Sequence, residues 1–250
     1  MSDQEISLYL LQKFDPLATS SLIKDKMVYY FLKRALDIIV SAVGLIILSP
    51  LMGIIALLIV LDSPGPVFFA QKRIGASRWM CKGFSYWKKT DFYCYKFRSM
   101  KHNCDQSLHM AYMEALINHD REKMEELQGE EVDAYKLVND PRITRMGYWL
   151  RKTSLDELPQ LWNILIGDMT LVGPRPSIPY EYEMYKPWYR RRLESKQGLT
   201  GLWQVTTRSS ADFDEMVKLD IEYVDNQSFW LDVIILFKTP LVVISGKDAH

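Results

Sequence analysis

Asp37-Ile38-Ile39-Val40-Ser41-Ala42-Val43-Gly44-Leu45-Ile46-Ile47-Leu48-Ser49-Pro50-Leu51-Met52-Gly53-Ile54-Ile55-Ala56-Leu57-Leu58-Ile59-Val60-Leu61-Asp62 is the stretch on which the architecture turns. Between its two aspartates lie 24 residues without a charge, long enough to cross a hydrocarbon core as a helix. Ser49 and Pro50 stand at the midpoint, and a proline there removes a helix hydrogen bond and kinks the axis. Each half, at about 1.5 Å per residue, gives roughly 18 Å of helix, too short to cross alone. Two topologies follow: a lightly kinked helix that crosses the bilayer, or a sharply broken one that dips in and returns. Lys24, Lys26, Lys33 and Arg34 precede the segment, and Lys72, Arg73, Arg78 and Lys82 follow it. Basic residues on both flanks fit two cytoplasmic ends and hence re-entry. A hairpin buried in a soluble core is the plainer alternative.

The second informative stretch is Arg151-Lys152-Thr153-Ser154-Leu155-Asp156-Glu157-Leu158-Pro159-Gln160-Leu161-Trp162-Asn163. Proline is tolerated in the first turn of a helix. A helix carrying Leu161, Trp162, Ile164 and Leu165 is therefore expected to begin near 155–158, with the adjacent carboxylates Asp156 and Glu157 at its N-terminal end. That end favours anions. The structural alternative is equally clear, because Ser154-x-x-Glu157 fits a capping box.

The chain of 250 residues is long enough for one domain with appendages. Its net charge of zero hides segregation: residues 71–101 carry nine Lys/Arg against Asp91 alone, and residues 105–133 carry nine Asp/Glu against Arg121 and Lys123. Cys81, Cys94 and Cys104 form no Cys-x-x-Cys pair, which argues against a disulfide framework and a zinc site. His102, Cys104 and His109 have the spacing of no usual metal site. The opening Met-Ser-Asp-Gln-Glu is acidic where a secretory signal would be basic, so no cleaved signal is expected. Leu22, Ile23, Met27, Val28, Tyr30 and Phe31, interspersed with lysines, read as an amphipathic helix at a membrane surface or on the domain.

Ser63-Pro64-Gly65-Pro66-Val67-Phe68-Phe69 is a rigid turn into a strand. The aromatic-rich basic region after it suits single-stranded nucleic acid, but beside a membrane segment interfacial anchoring to anionic lipid is the better reading. Lys96 and Arg98 alternate on one strand face as candidate phosphate ligands. Residues 105–131 read as one acidic helix. Arg142 and Arg145 lie on a turn, and Arg175 stands in Gly173-Pro174-Arg175-Pro176, where prolines stiffen the backbone on both sides. Arginine's planar fork suits phosphate. Arg208 follows a Gly-bounded turn, residues 212–224 look helical, and residues 230–244 read as a core or interfacial helix. Adjacent carboxylates amid loop arginines suit a polyanionic substrate such as a diphosphate, and the anchor points to a lipid as the other reactant.

Taken together, Lys33-Arg34-x-x-Asp37, Ser49-Pro50, Ser63-Pro64-Gly65-Pro66-Val67-Phe68-Phe69-x-Gln71-x-Arg73-x-Gly75, Lys96-Phe97-Arg98-Ser99-Met100, Asp140-Pro141-Arg142-Ile143-Thr144, the dyad stretch, Gly167-Asp168-Met169, Gly173-Pro174-Arg175-Pro176 and Leu199-Thr200-Gly201 closely resemble the monotopic phosphoglycosyl transferases, the bacterial sugar transferase family, over residues 33–246. The resemblance implies an α+β, mostly helical fold: an N-terminal extension (1–33), a re-entrant membrane helix-hairpin broken at Ser49-Pro50 (34–62), and a small cytosolic catalytic domain (63–250) with interfacial amphipathic helices. It implies a monotopic enzyme on the cytoplasmic face of the bacterial inner membrane that initiates surface polysaccharide synthesis. Such an enzyme transfers a sugar 1-phosphate from a nucleotide diphosphate sugar, expected to be a UDP-sugar, to undecaprenyl phosphate. By motif position, Asp156 is the nucleophile that forms a phosphosugar intermediate, Glu157 binds Mg²⁺, and Arg151 and Arg175 hold phosphates. Arg142, Arg145, Lys96, Arg98 and Arg208 are further substrate-binding candidates. Membrane lipids are partners, nucleic acid is not, and a homodimer is open. Longer relatives carry extra transmembrane helices upstream, so this chain looks like a minimal form. Two departures stand out: Gln197-Gly198 replaces the family's Pro-Gly, and residues 76–91 are longer and more aromatic than expected. A membrane-bound nucleotide-sugar phosphohydrolase and a non-catalytic membrane scaffold are the alternatives.

Overall fold

The computed structural model describes residues 3–81, 84–128, 140–207 and 212–245. The chain opens with helix α1 (Asp3–Phe14), a two-residue strand β1 (Ile23–Lys24) and the long helix α2 (Met27–Asp62). The stretch expected to be one amphipathic helix is divided: Ile23 and Lys24 pair with a later strand, and Met27 begins α2 itself. α2 runs for 36 residues with Pro50 inside it. The Ser49 hydroxyl donates to the Ile46 carbonyl at 2.8 Å, within the turn that the proline ring would disturb. Among the described residues α2 is the one helix long and apolar enough to cross a membrane. Its outer side, including Ile39, Val43, Ile46, Ile47, Ile54, Leu57 and Leu61, is exposed. So large a bare apolar face calls for a non-aqueous neighbour.

Pro64-Gly65-Pro66 ends α2 and starts a long antiparallel ribbon of β2 (Phe68–Cys81) and β3 (Phe84–Phe97), in register from Phe68↔Phe97 to Cys81↔Phe84. β1 adds to the far half of β3, giving the order β1-β3-β2. Residues 84–91 are thereby half-sheathed by the N-terminal segment, where Trp87 accepts a backbone bond from Thr19 at 2.8 Å.

The acidic segment forms two helices rather than one, α3 (Ser107–Asn118) and α4 (Arg121–Gln128), with residues 129–131 outside the described set. His119 adopts a left-handed conformation (φ 56°) and ends α3 by donating to Ala115 and Leu116, and the Asp120 carboxylate then accepts from Lys123 N at 3.1 Å. The break turns the buried face of α3 (Tyr112, Met113, Leu116, Ile117) and Met124 of α4 into one core with Tyr185, Tyr189, Phe213 and Val217.

Helix α5 (Arg145–Lys152) follows, capped by the Thr144 hydroxyl accepting from Gly147 N at 3.0 Å. The dyad lies on a single 3-10 turn (Leu155–Glu157), after which α6 (Gln160–Ile166) begins at Pro159. Asp156 and Glu157 thus precede α6 instead of occupying its first turn. The capping box does not form: Ser154 is left-handed (φ 56°) and its side chain makes no cap bond. A short parallel pair, β4 (Thr170–Val172) with β5 (Gly198–Thr200), flanks helix α7 (Pro179–Glu183) and a 3-10 segment (Pro187–Leu193). Helices α8 (Leu202–Thr206), α9 (Phe213–Asp225) and α10 (Phe229–Ser245) complete a mostly helical α+β fold.

Both halves of α2 pack on this body. Leu36, Leu45 and Leu48 join the core of Leu161, Ile164, Leu171 and Ile235. Beyond Pro50, Ile55 and Ile59 pack with Phe97 and Leu150. Buried polar groups fix the first half: Lys33 Nζ donates to Asp232 Oδ2 and to the Val172 carbonyl, each at 2.8 Å, and Asp37 accepts from Thr170 Oγ1 and Leu171 N, each at 2.8 Å. Arg34 donates to the last carbonyls of α6, Ile164 (2.6 Å) and Leu165 (2.8 Å), where a cation complements the helix dipole. At the far end Asp62 accepts from Met146 N at 3.1 Å.

α5 meets the backbone leaving β3 at Gly147, where an added Cβ would stand 1.9 Å from the Ser99 carbonyl oxygen. Gly147→Ala is therefore expected to force the two segments apart and to destabilise by about 1–3 kcal/mol. A lowered thermal midpoint of the detergent-solubilised protein checks this, and an unchanged midpoint would contradict it.

Candidate active site

Between the base of the ribbon, α3, α5, the dyad turn and α7 lies a cavity of about 600 Å³, within the range that takes a small-molecule ligand. Its lining includes the cations Arg73, Lys96, Arg98, Lys101, Arg142, Arg151 and Arg175 and the carboxylates Asp156 and Glu181. So one-sided a balance favours an anionic ligand. Asp156 is 7% exposed and lines this cavity.

Several of these side chains are fixed by bonds to their neighbours. Glu157 Oε1 accepts from Lys96 Nζ at 2.6 Å and from Arg175 Nη2 at 3.3 Å, so the dyad turn, β3 and the proline-flanked loop meet at one oxygen. The loop is rigid by construction. Gly198 N donates to Pro174 O at 2.9 Å, Arg73 Nη1 to Pro176 O at 2.8 Å, and Ile74 N to Ser177 O at 2.8 Å. Behind it the buried Arg192 pairs with Asp220 at 2.7 Å and reaches the Arg175 carbonyl at 3.4 Å. Arg151 comes from the last turn of α5. Burial pulls its guanidinium below its ordinary value while the attraction of Asp156 opposes this, and it stays a cation.

The other expected ligands divide. Arg142 lines the cavity but holds Asp140 at 2.6 Å and donates to the Asp105 carbonyl at 2.7 Å. Burial acts to raise the Asp140 carboxyl, but the Arg142 hydrogen bonds outweigh it and hold that carboxyl below its ordinary value. Arg98 reaches the cavity wall, yet its guanidinium donates to the carbonyls of Ser63 (2.6 Å), Pro64 and Ile59 (3.3 Å), closing the C-terminus of α2. Arg145 is exposed at the head of α5 and does not line the cavity. Arg208 lies outside the described residues. Arg73, His109, Tyr180 and Glu181 join the lining without having been singled out as ligands of an anion. Arg73 was already visible in the Gln71-x-Arg73 pattern, whereas His109 was weighed with His102 and Cys104 as a metal ligand and set aside on spacing.

The donor set fits Mg²⁺. Among the described residues no three His, Cys, Asp or Glu side chains gather at one point. Mg²⁺ needs no such cage, since it is usually bound by one or two carboxylates with substrate phosphates and water; Glu157, next in the chain to the cavity-lining Asp156, is an oxygen donor of that kind, with Oε1 shared between Lys96 and Arg175.

His109 Nδ1 and Tyr180 Oη are 2.6 Å apart. Burial, aided by Arg142, lowers the His109 imidazole from 6.5 to about 4, and burial pushes the Tyr180 phenol up to about 12. Both are neutral at physiological pH. A histidine whose folded value lies below its unfolded one stabilises fully above the unfolded value and loses that contribution as pH falls through the folded one. The difference in thermal midpoint between wild type and His109→Gln is thus expected to shrink between pH 7.5 and pH 5. A pH-independent difference would contradict a neutral His109.

The family model described as bacterial sugar transferase matches residues 28–246. The chain is 42% identical over 220 residues to the "Undecaprenyl-phosphate galactose phosphotransferase" of Salmonella typhimurium, covering 88% of this chain and 42% of that one. To the "UDP-glucose:undecaprenyl-phosphate glucose-1-phosphate transferase" of Escherichia coli it is 35% identical over 227 residues, covering 88% and 41%. It therefore spans less than half the length of these relatives. The "Exopolysaccharide production protein ExoY" of Rhizobium meliloti is 39% identical over 214 residues, with 85% of this chain and 86% of that one covered. By this match over most of its length, the chain belongs to the bacterial sugar transferase family.

Proposed function

We propose that the protein transfers a sugar 1-phosphate from a UDP-sugar to undecaprenyl phosphate at the cytoplasmic face of a bacterial membrane, as the first step of a surface polysaccharide. The observation that carries this reading is a buried carboxylate, Asp156, in a cationic cavity on a body that carries a long, outwardly bare apolar helix. The names of the relatives supply the reactants.

In this mechanism an Asp156 carboxylate oxygen attacks the phosphorus that bears the sugar. The bond from that phosphorus to the bridging oxygen breaks, and uridine monophosphate leaves with the electron pair. The lipid phosphate oxygen then attacks the same phosphorus, forming the sugar diphospholipid and returning the aspartate. A carboxylate approaching a diphosphate is repelled unless cations intervene. Arg151 and Arg175 meet that need as phosphate ligands, and Lys96 orients Glu157. Glu157 would hold Mg²⁺, which when bound neutralises phosphate charge.

A re-entrant path for α2 belongs to the same reading. A straight helix of 36 residues would be about 54 Å long at about 1.5 Å per residue, and a crossing helix would leave its ends on opposite sides of a core about 30 Å thick. Here Lys33 and Asp37 near one end and Asp62 at the other are all bonded to the same body. That supports a bend at Ser49-Pro50 which returns the chain to its starting face.

The test is uridine monophosphate release from a panel of UDP-sugars by the protein in detergent, with Mg²⁺ and undecaprenyl phosphate. Lipid-dependent release that stops with EDTA and resumes with added Mg²⁺ is expected. Release that ignores the lipid would instead indicate transfer to water.

A further inference from the structure

The cavity is chemically two-sided, and the transfer reaction uses one side of it. Asp156 and the cations form one part of the lining, and α3 and α7 with their N-terminal caps add His109, Gln106, Met113, Ile178, Tyr180 and Glu181, with Arg142 and Arg73 acting on His109 and Tyr180 from beside them. That second group is neutral apart from a carboxylate, and its polar members are prearranged. Tyr180 Oη and His109 Nδ1 hold one another at 2.6 Å. Glu181, 3% exposed, accepts from Tyr185 Oη at 2.7 Å and from Ile178 N at 3.3 Å, which fixes its carboxylate. A phosphate would gain no charge from a neutral imidazole and phenol, and the nearby cations are engaged elsewhere: Arg192 with Asp220 and Glu181, Arg142 with Asp140, and Arg73 with the Pro176 carbonyl. A hydroxyl-bearing ring suits the same groups, because neutral imidazole, phenol, amide and carboxylate together both donate to and accept from hydroxyls, while Met113 and Ile178 offer apolar contact to its carbon face.

We propose that His109 and Tyr180, backed by Glu181, form the subsite that reads the sugar hydroxyls of the donor and so sets which UDP-sugar is used. This rests on the transferase reading and adds to it the residues that select the sugar. With Nδ1 engaged by Tyr180, bonding to the sugar falls to His109 Nε2, and the phenol shares its hydroxyl between histidine and ligand. A site built to bond a particular hydroxyl discriminates against a donor that lacks it or presents it on the other face, since its own polar groups are then left unpaired.

The experiment compares kcat/KM for UDP-galactose, UDP-glucose and UDP-N-acetylgalactosamine in wild type, Tyr180→Phe and His109→Gln, together with inhibition by UDP, which has no sugar. Tyr180→Phe removes one oxygen and His109→Gln retains an amide, so both variants are expected to fold. The ratio between the best and the next donor is expected to fall about tenfold, the equivalent of one hydrogen bond, with the UDP inhibition constant within about twofold of wild type. An unchanged ratio in enzyme that still releases uridine monophosphate would overturn the subsite while leaving the transferase reading in place. Equal weakening of UDP and of every UDP-sugar would overturn it in favour of contacts to the nucleotide. Absence of lipid-dependent release by wild type would overturn both.

Discussion

Asp156→Asn is expected to lower lipid-dependent release of uridine monophosphate by at least about 10³-fold, the scale on which loss of a covalent nucleophile is felt. The change keeps the shape of the side chain and removes the attacking anion. Asp156 lines the cavity on a 3-10 turn whose neighbour Glu157 is bonded to Lys96 and Arg175, so the turn is expected to persist in the variant. Donor binding is the discriminating control. Asparagine does not repel the diphosphate, so the variant should bind UDP-sugar at least as tightly as wild type while failing to turn it over. Residual turnover within about tenfold of wild type would exclude Asp156 as nucleophile.

The second large effect is structural. The Lys33–Asp232 pair, at 2.8 Å with side chains 8% and 2% exposed, links the start of α2 to α10, and Lys33 also bonds the Val172 carbonyl at 2.8 Å. Removing one partner of a buried pair leaves the other charge uncompensated and costs about 3–5 kcal/mol. Lys33→Met is therefore expected to lower the thermal midpoint by roughly 10 °C, given about 2–4 °C per kcal/mol for a chain of this size. Adding Asp232→Asn should recover part of the loss, because the stranded charge is then gone. Val172 ends β4 and leads into the loop that carries Arg175, so activity is expected to fall with stability. If the two losses simply added, the pair would not be coupled.

Local chemistry made much of this legible from sequence alone. The charge-free run of residues 38–61 announced α2, and Pro64-Gly65-Pro66 announced its end and the following strand. The dyad, Lys96, Arg151 and Arg175 stood out in sequence as charged groups, and the structure sets Lys96 and Arg175 on Glu157 and places Asp156 and Arg151 in the cavity lining. What escaped was decided by tertiary contacts. Arg98 looked like a phosphate ligand from strand alternation, but it lies one residue past β3, beside the unpaired carbonyls that end α2, and bonds those instead. The acidic helix breaks at a left-handed histidine, a position without the glycine that usually signals such a turn. The capping box at Ser154 fails because the turn before α6 is itself wound tightly around the dyad. His109 gives no sign in sequence of facing Tyr180, which is 71 positions away.

Transfer through an enzyme-bound phosphosugar is the centre of the account, and it is tested most directly without the lipid. Wild-type protein mixed rapidly with a labelled UDP-sugar and Mg²⁺, in the absence of undecaprenyl phosphate, is expected to release about one equivalent of uridine monophosphate and then stall. Mass spectrometry of the quenched protein should find the sugar phosphate on the peptide that contains Asp156, and adding the lipid should discharge it. If no uridine monophosphate appears until the lipid is added, and no labelled peptide forms, the sugar phosphate passes directly between the two substrates and the covalent mechanism is wrong.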